Sequence, residues 1–315
     1  MKILITGVAG FIGSHLAEKL LDNGHTIIGI DIINNYYSIK QKEANLHILN
    51  KYPKFTFIKE DVIESQCVTL YKPDVVCHLA SMAGVRYSLE DPILYAKTNI
   101  VSQINLLEQC VKCNIQKYIY ASSSSVYGLN TKIPFSEDDP IKQCNSPYAV
   151  SKYAMENYAN LYHKLYNISV IGLRFFTVYG PRGRPDMAPY KFLKAIMNSK
   201  SITKYGDGYS ARDYTYIDDI ISGIINCINT IKENQSKIYN LGNNKPILLN
   251  DFISTCEEVV GKNAEVINLP NQTGDVPITY ANISQAQKDL GYNPKTQLKE
   301  GLFKTYQWLK TLENN

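Results

Sequence analysis

The run Tyr148-Ala149-Val150-Ser151-Lys152 sets a phenol and an ammonium four residues apart. On a helix, positions i and i+4 share a face, so Lys152 stands one turn from Tyr148. A phenol titrates near 10, too high for a base at neutral pH, and a neighbouring ammonium stabilises its phenolate. The pair is therefore a candidate for proton transfer. The same spacing also decorates ordinary surface helices, so it needs support from elsewhere in the chain. Ser122-Ser123-Ser124-Ser125-Val126-Tyr127-Gly128 offers some. A hydroxyl at that strand end can donate to a substrate oxygen and pass a hydrogen bond to Tyr148. The plain alternative is a serine-rich turn.

These groups need a frame, and the first thirty residues suggest one. Lys2–Thr6 is apolar enough for a strand buried on both faces. Gly7-Val8-Ala9-Gly10-Phe11-Ile12-Gly13 follows, then a helical stripe through Leu16, Ala17, Leu20 and Leu21, a stop at Gly24, and a second strand ending at Asp31. The three glycines have separate tasks: the tight turn, backbone approach to a pyrophosphate, and close helix–sheet packing. Free N–H groups at the helix start suit phosphates. Asp31 stands where a carboxylate accepts hydrogen bonds from an adenosine ribose. A bare glycine triplet also fits any strand–turn–helix, but the preceding strand, the following helix and the acid together select a dinucleotide site. Asp31 would repel a 2′-phosphate, and Ile32, Ile33 and Asn34 supply no arginine, so the expected cofactor is NAD.

Further strands are expected at Phe55–Lys59, Asp74–Leu79, Lys117–Ser122 and Val170–Phe175, with helices at Asn99–Cys113 and Tyr148–Leu165. Alternating strands and helices imply right-handed crossovers, hence an α/β fold with a doubly wound parallel sheet. Ligands collect at the carboxyl ends of such strands, where Gly7, Asp31, Asp61, Val62, Leu79, Ala80, Ser122–Ser125 and Thr177 fall. After Phe176 the alternation loosens. Gly180-Pro181-Arg182-Gly183-Arg184-Pro185 is turn-rich, and short elements follow at Asp213–Ile217, Asp218–Asn229, Ile238–Leu241, Leu249–Val260 and Glu300–Leu309. The expectation is a cofactor domain over 1–175 and a smaller C-terminal α/β substrate lobe over 176–315, with interleaved segments.

The 315 residues are 44% hydrophobic and 20% charged, as in ordinary globular chains. A net charge of +4 without a basic run leaves no footprint for nucleic acid or a membrane surface. Seven irregularly spaced cysteines point to a reducing compartment. Cys110-x-x-Cys113 lacks a second pair, and the five histidines form no metal-ligand spacing, so no metal is expected. Met1–Ile5 runs straight into the glycine turn, leaving no room for a signal peptide, and no apolar run reaches the ~18 residues of a membrane span. The expected location is the cytoplasm.

The spacing Gly-x-x-Gly-x-x-Gly resembles the extended short-chain dehydrogenase/reductases, a family with a Rossmann-type sheet. Its catalytic Ser or Thr precedes the Tyr of Val-Tyr-Gly by four residues, which is Ser123 here. Ser123, Tyr148 and Lys152 then resemble the family's catalytic set. The resemblance spans essentially the whole chain and sharpens toward the UDP-glucuronate 4-epimerases. Ala83–Pro92, Leu173–Ala188, Arg212–Ile220 and Gln272–Pro277 are the blocks that carry it. Many nucleotide-sugar epimerases place Arg where this chain has Gln272, which weakens a galactose-type assignment more than a glucuronate one. The resemblance implies NAD contacts from Gly7, Gly10, Phe11, Ile12, Gly13, Asp31, Asn34, Asp61, Val62, Leu79, Ala80, Ala83, Asn99, Ser122, Tyr148, Lys152 and Val178. It implies UDP contacts from Arg184 and Arg212, and hydroxyls of Ser124, Ser125 and Thr177 around a sugar carboxylate. Arg86, Ser88, Ser123, Met187 and Asp275 complete the implied substrate set, and a homodimer through the two long helices is implied as well.

The implied reaction removes hydride from C4 of a UDP-sugar to NAD and returns it to the opposite face, with Tyr148 handling the hydroxyl proton. A UDP-glucuronate decarboxylase begins with the same oxidation and is the nearest rival; UDP-glucose and UDP-N-acetylglucosamine 4-epimerases are others. A 4,6-dehydratase needs Asp-Glu directly after the catalytic Ser or Thr, where this chain has Ser124-Ser125. From another class, a non-catalytic NAD-binding sensor would not need an intact Ser123–Tyr148–Lys152 set.

Overall fold

The computed structural model describes residues 1–270 and 276–313. The chain runs β1 (Lys2–Thr6), α1 (Phe11–Asp22), β2 (Thr26–Ile30), α2 (Ile39–Leu49), β3 (Phe55–Ile58), α3 (Cys67–Tyr71) and β4 (Val75–His78). Then come α4 (Val85–Glu90), α5 (Pro92–Tyr95), a π-helical turn (Ala96–Val101), α6 (Ser102–Cys113), β5 (Lys117–Ser123), α7 (Pro147–Tyr166) and β6 (Ser169–Phe175). The remainder is β7 (Thr177–Tyr179), α8 (Ala188–Met197), β8 (Ile202–Tyr205), β9 (Ala211–Tyr216), α9 (Ile217–Thr230), β10 (Ser236–Leu241), β11 (Pro246–Leu248), α10 (Leu249–Val260), β12 (Val266–Leu269), β13 (Ile278–Thr279), α11 (Ser284–Leu290) and α12 (Leu298–Glu313).

The main sheet is parallel, in the order β10-β6-β5-β4-β1-β2-β3. Its inner strands are sealed on both faces, which is why β1 and β4 read as unbroken apolar runs. The order reverses between β1 and β4, and the crevice above that switch point is where ligands bind in such sheets. A smaller sheet joins β11, β9 and β13, with β7 also pairing to β9, while β8 and β12 form a separate parallel pair.

One local expectation changed, at the start of α6. The strand read from the sequence at Ile238–Leu241 is β10, and it hydrogen-bonds to β6 at the edge of the main sheet. The chain therefore returns to the first layer after α9, whose apolar stripe of Ile217, Ile220, Ile221, Ile224 and Ile228 is buried. The helix expected from Asn99 begins as a π-helical turn instead. The extra residue per turn there rotates Asn99 inward, and such turns recur at functional sites.

Candidate active site

Three turns at the carboxyl ends of β1, β4 and β5 surround a cleft of about 440 Å³. Gly7 has φ +71, and a Cβ on it would lie 2.8 Å from the Ala80 nitrogen, so only glycine lets the β1 and β4 ends approach. A Cβ on Gly13 would fall 2.2 Å from the Gly7 carbonyl oxygen, so α1 starts close against the turn. No side chain caps α1, and its first N–H groups are left for an anion. At the end of β2, Asp31 accepts from the Ala9 N–H (3.1 Å) and the Ile33 N–H (2.8 Å). Burial raises the Asp31 pKa, opposed by those N–H groups and by the Lys42 charge.

Tyr148, Ser123 and Lys152 share the opposite wall of this cleft. Ser146 caps α7 by accepting from the Ala149 N–H, and Pro147 occupies the first turn, so the helix starts with Tyr148 facing the cleft. Ser123 Oγ accepts from the Ser125 N–H at 3.1 Å, leaving its hydrogen free to donate. The pairing of Tyr148 with Lys152 differs from expectation. Lys152 is 1% exposed, and its Nζ donates to the Ala121 carbonyl at 2.7 Å. Burial pushes its pKa down to about 7, against the pull of Glu156. The Tyr148 pKa is raised by burial; the groups that favour its phenolate are Ser123 and Arg184 rather than Lys152. Spacing on the helix placed the lysine one turn away, but packing turned its charge toward β5.

Behind this wall lie two buried polar networks. Ser122 Oγ donates to Glu156 Oε1 at 2.6 Å, and Arg174 of β6 donates to both carboxylate oxygens, at 2.9 and 2.8 Å. The Arg174 guanidinium also sits 4.7 Å from the centre of the Tyr127 ring. On the other side, Thr6 Oγ1 accepts from the Leu79 and Ala80 N–H groups at 3.1 and 3.0 Å. Its hydrogen then goes to His78 Nδ1 at 2.8 Å, which leaves His78 Nε2–H to donate to Ser102 Oγ at 3.2 Å. Burial, helped by the Lys152 charge, pushes the His78 pKa down to about 3, so it stays neutral and in one tautomer. This network fixes the Leu79-Ala80 wall.

Of the residues expected at the cofactor, Gly7, Gly10, Phe11, Ile12, Gly13, Asp31, Asn34, Asp61, Val62, Leu79, Ala80, Ala83, Ser122, Tyr148, Lys152 and Val178 line the cleft. Asn99 stands behind it: its amide donates to the Met82 carbonyl and Ser151 Oγ, and its oxygen accepts from the Met82 N–H. It therefore shapes the loop after β4 from behind. Of the expected substrate residues, Ser123, Ser124, Ser125, Thr177, Arg184 and Met187 line the same cleft. Ser88 does not; it is buried in α4 and donates to the Val85 carbonyl at 2.6 Å. Arg86 is exposed on α4 over the Tyr205 ring, 5.2 Å from its centre. Arg212 is half-buried and donates to the Ala211 and Pro277 carbonyls. Gln272 and Asp275 lie outside the described residues.

Arg184 is held by Asp186 (2.6 Å), the Tyr36 hydroxyl (3.1 Å) and the Ala83 carbonyl (3.0 Å). Its loop is tied to the cofactor half: Gln41 of α2 donates to the Arg182 and Gly183 carbonyls at 2.8 and 3.0 Å, and Arg182 pairs with Glu18 of α1 at 2.6 Å. Sequence reading missed Tyr36, Tyr37, Gln41, Lys42, Glu156 and Arg174. The available signal was the aromatic and polar run Asn34–Lys42 immediately after Asp31. Among the described residues no cluster of His, Cys, Asp or Glu could hold a metal ion, and no helix is long and apolar enough to cross a membrane.

The profile of a family described as GDP-mannose 4,6 dehydratase matches residues 4–305. The chain belongs to this family. Within the family it is 45% identical to Protein CapI of Staphylococcus aureus, over 98% of both chains. It is 42% identical to UDP-glucuronate 4-epimerase 4 of Arabidopsis thaliana, over 98% of this chain and 75% of that one. Among solved structures it superposes on UDP-glucuronic acid 4-epimerase from Bacillus cereus in complex with UDP-glucuronic acid and NAD, with a TM-score of 0.94 and 39% identity, covering 99% of this chain and 100% of that one. The family takes its description from a dehydratase, but this chain keeps Ser124-Ser125 where a dehydratase needs an acid pair.

Proposed function

We propose that this protein is an NAD-dependent 4-epimerase that interconverts UDP-glucuronate and UDP-galacturonate. The observation that carries the reading is one cleft in which the Ser123–Ser125 turn and Thr177 face Tyr148 across from the glycine turn, in a chain that superposes end to end on a UDP-glucuronic acid 4-epimerase. The residues present fit NAD. The Gly7–Gly13 cradle is too tight for side chains, and Asp31 keeps lone pairs beside those used by Ala9 and Ile33. Bound NAD supplies the hydride acceptor and donor at the sugar's C4. Tyr148 takes the C4 hydroxyl proton and returns it, and Ser123 orients that hydroxyl. Ser123 and the positive charge of Arg184 favour the developing phenolate.

Oxidation at C4 makes the sugar a β-keto acid, which loses CO₂ when the C5–C6 bond aligns with the ketone. Ser124, Ser125 and Thr177 would hold the carboxylate out of that alignment and solvate it as an anion. Arg184, Arg212, Arg86, Met187 and Asp275 are assigned to the nucleotide-sugar in the lobe after β6. Exposed Val150, Tyr153, Leu161 and Leu165 form one stripe on α7, which supports a homodimer through that helix. Seven free cysteines support a reducing, cytoplasmic setting. The test is NMR of products from a panel of UDP-sugars with no cofactor added. UDP-galacturonate from UDP-glucuronate is expected. Mainly decarboxylated sugar would make the protein a decarboxylase, and turnover of UDP-glucose alone would end the carboxylate argument.

A further inference from the structure

Tyr37 follows β2 and lines the cleft with its ring under Lys42, whose Nζ is 4.5 Å from the ring centre. The Tyr37 hydroxyl oxygen is buried and has no hydrogen-bond partner among the described residues. It faces the glycine turn: a Cβ on Gly10 would come 3.8 Å from it, and the Phe11 N–H bears on it from the first turn of α1. The nearby carboxylates are turned to other groups. Asp31 accepts from the Ala9 and Ile33 N–H groups, its remaining lone pairs being those assigned to the ribose, and Asp186 accepts from Arg184. Lys42 spends its ammonium on Asn34 O and Oδ1, at 2.7 and 2.6 Å. The Tyr37 O–H is thus a buried donor beside the start of α1 to which the described residues bring no acceptor. Leaving a buried hydroxyl in that state is costly unless a ligand completes it.

We propose that the Tyr37 hydroxyl donates to a pyrophosphate oxygen of the bound dinucleotide, a contact that rests on the NAD reading above and adds a side chain to a site otherwise built from backbone. Lys42 holds the ring in place and adds positive potential without touching the phosphate. An anionic oxygen is the acceptor chemistry that a buried hydroxyl donor at a helix start selects. Adenosine, which has no phosphate, gains nothing from Tyr37.

The test compares wild type with Tyr37→Phe, both purified with whatever dinucleotide they retain. NAD per chain is measured after denaturation, its loss on dilution is timed, and ADP and adenosine are compared as competitors. Tyr37→Phe is expected to lose NAD about tenfold faster or more, and to lose about tenfold in its preference for ADP over adenosine. Freed of ligand, the variant should melt at or above wild type, because it buries one orphan hydroxyl fewer. Equal retention and an equal ADP-to-adenosine ratio would overturn the proposal. So would an equal loss for both competitors, or a lower melting temperature without ligand, since either marks a packing role. If wild type itself neither retains NAD nor binds ADP, the NAD reading fails instead.

Discussion

The ion pair between Glu156 and Arg174 gives the sharpest test of how the Tyr148 wall of the cleft is held. Both side chains are 3% exposed, and Arg174 contacts both carboxylate oxygens within 2.9 Å. Glu156→Gln keeps the shape but removes the negative charge, and it leaves the buried guanidinium with neutral company alone: the one remaining amide oxygen, the Glu137 carbonyl and the Tyr127 face. Breaking a buried pair from one side costs about 3–5 kcal/mol. At roughly 2–4 °C per kcal/mol for domains slightly smaller than this chain, the melting temperature should fall by roughly 6 °C or more. Arg174→Met should cost a similar amount, because it strands the carboxylate. The double variant Glu156→Met with Arg174→Met strands neither charge, and it should lie within about 2 kcal/mol of wild type. Ser122 nevertheless loses its acceptor in the double variant. Its strand end carries Ser123, so turnover should fall while the fold survives. Thermal melts at one fixed NAD concentration supply the cycle, since bound ligand alone shifts the midpoint. A double variant as unstable as the sum of the singles would refute the argument that the pair matters through uncompensated charge.

Tyr148→Phe should lower turnover by about 10²–10⁴-fold with nucleotide binding intact, and near-normal turnover by a folded variant would remove Tyr148 from the chemistry. Burial brings the Lys152 pKa down to about 7 in the folded protein, from 10.5 for a solvated lysine, so between those values the unfolded chain holds more protons. Its contribution therefore lowers stability fully below pH 7 and is relieved as pH rises toward 10.5. Lys152→Met should be more stable than wild type near pH 6, with the difference shrinking by pH 9; equal pH slopes in parallel melts would contradict this. Thr177→Val keeps shape but deletes a donor, and it should raise the ratio of decarboxylated to epimerised product; an unchanged ratio by NMR would remove Thr177 from carboxylate control.

Features set by short-range spacing were legible in the sequence. The glycine turn, the acid at the end of β2, the four serines closing β5 and the i, i+4 placement of Tyr148 and Lys152 all depend on backbone geometry within a few residues. For that reason Leu249–Val260 was read to the residue as α10. The long-range choices needed the fold. Glu156 and Arg174 lie on different elements, and nothing local says that one neutralises the other. Tyr37 and Lys42 sat in a run without periodicity, and their value comes from where α2 returns the chain against the glycine turn. Asn99 read as a cleft residue until the π-helical turn moved it behind the wall. The Tyr148–Lys152 chemistry shows the division most clearly. Spacing determined that the two groups would be neighbours, whereas burial set the direction of both pKa shifts and the Ala121 carbonyl set where the ammonium points. Desolvation and hydrogen-bond geometry are sums over atoms from several strands and helices, so only the assembled structure could decide them.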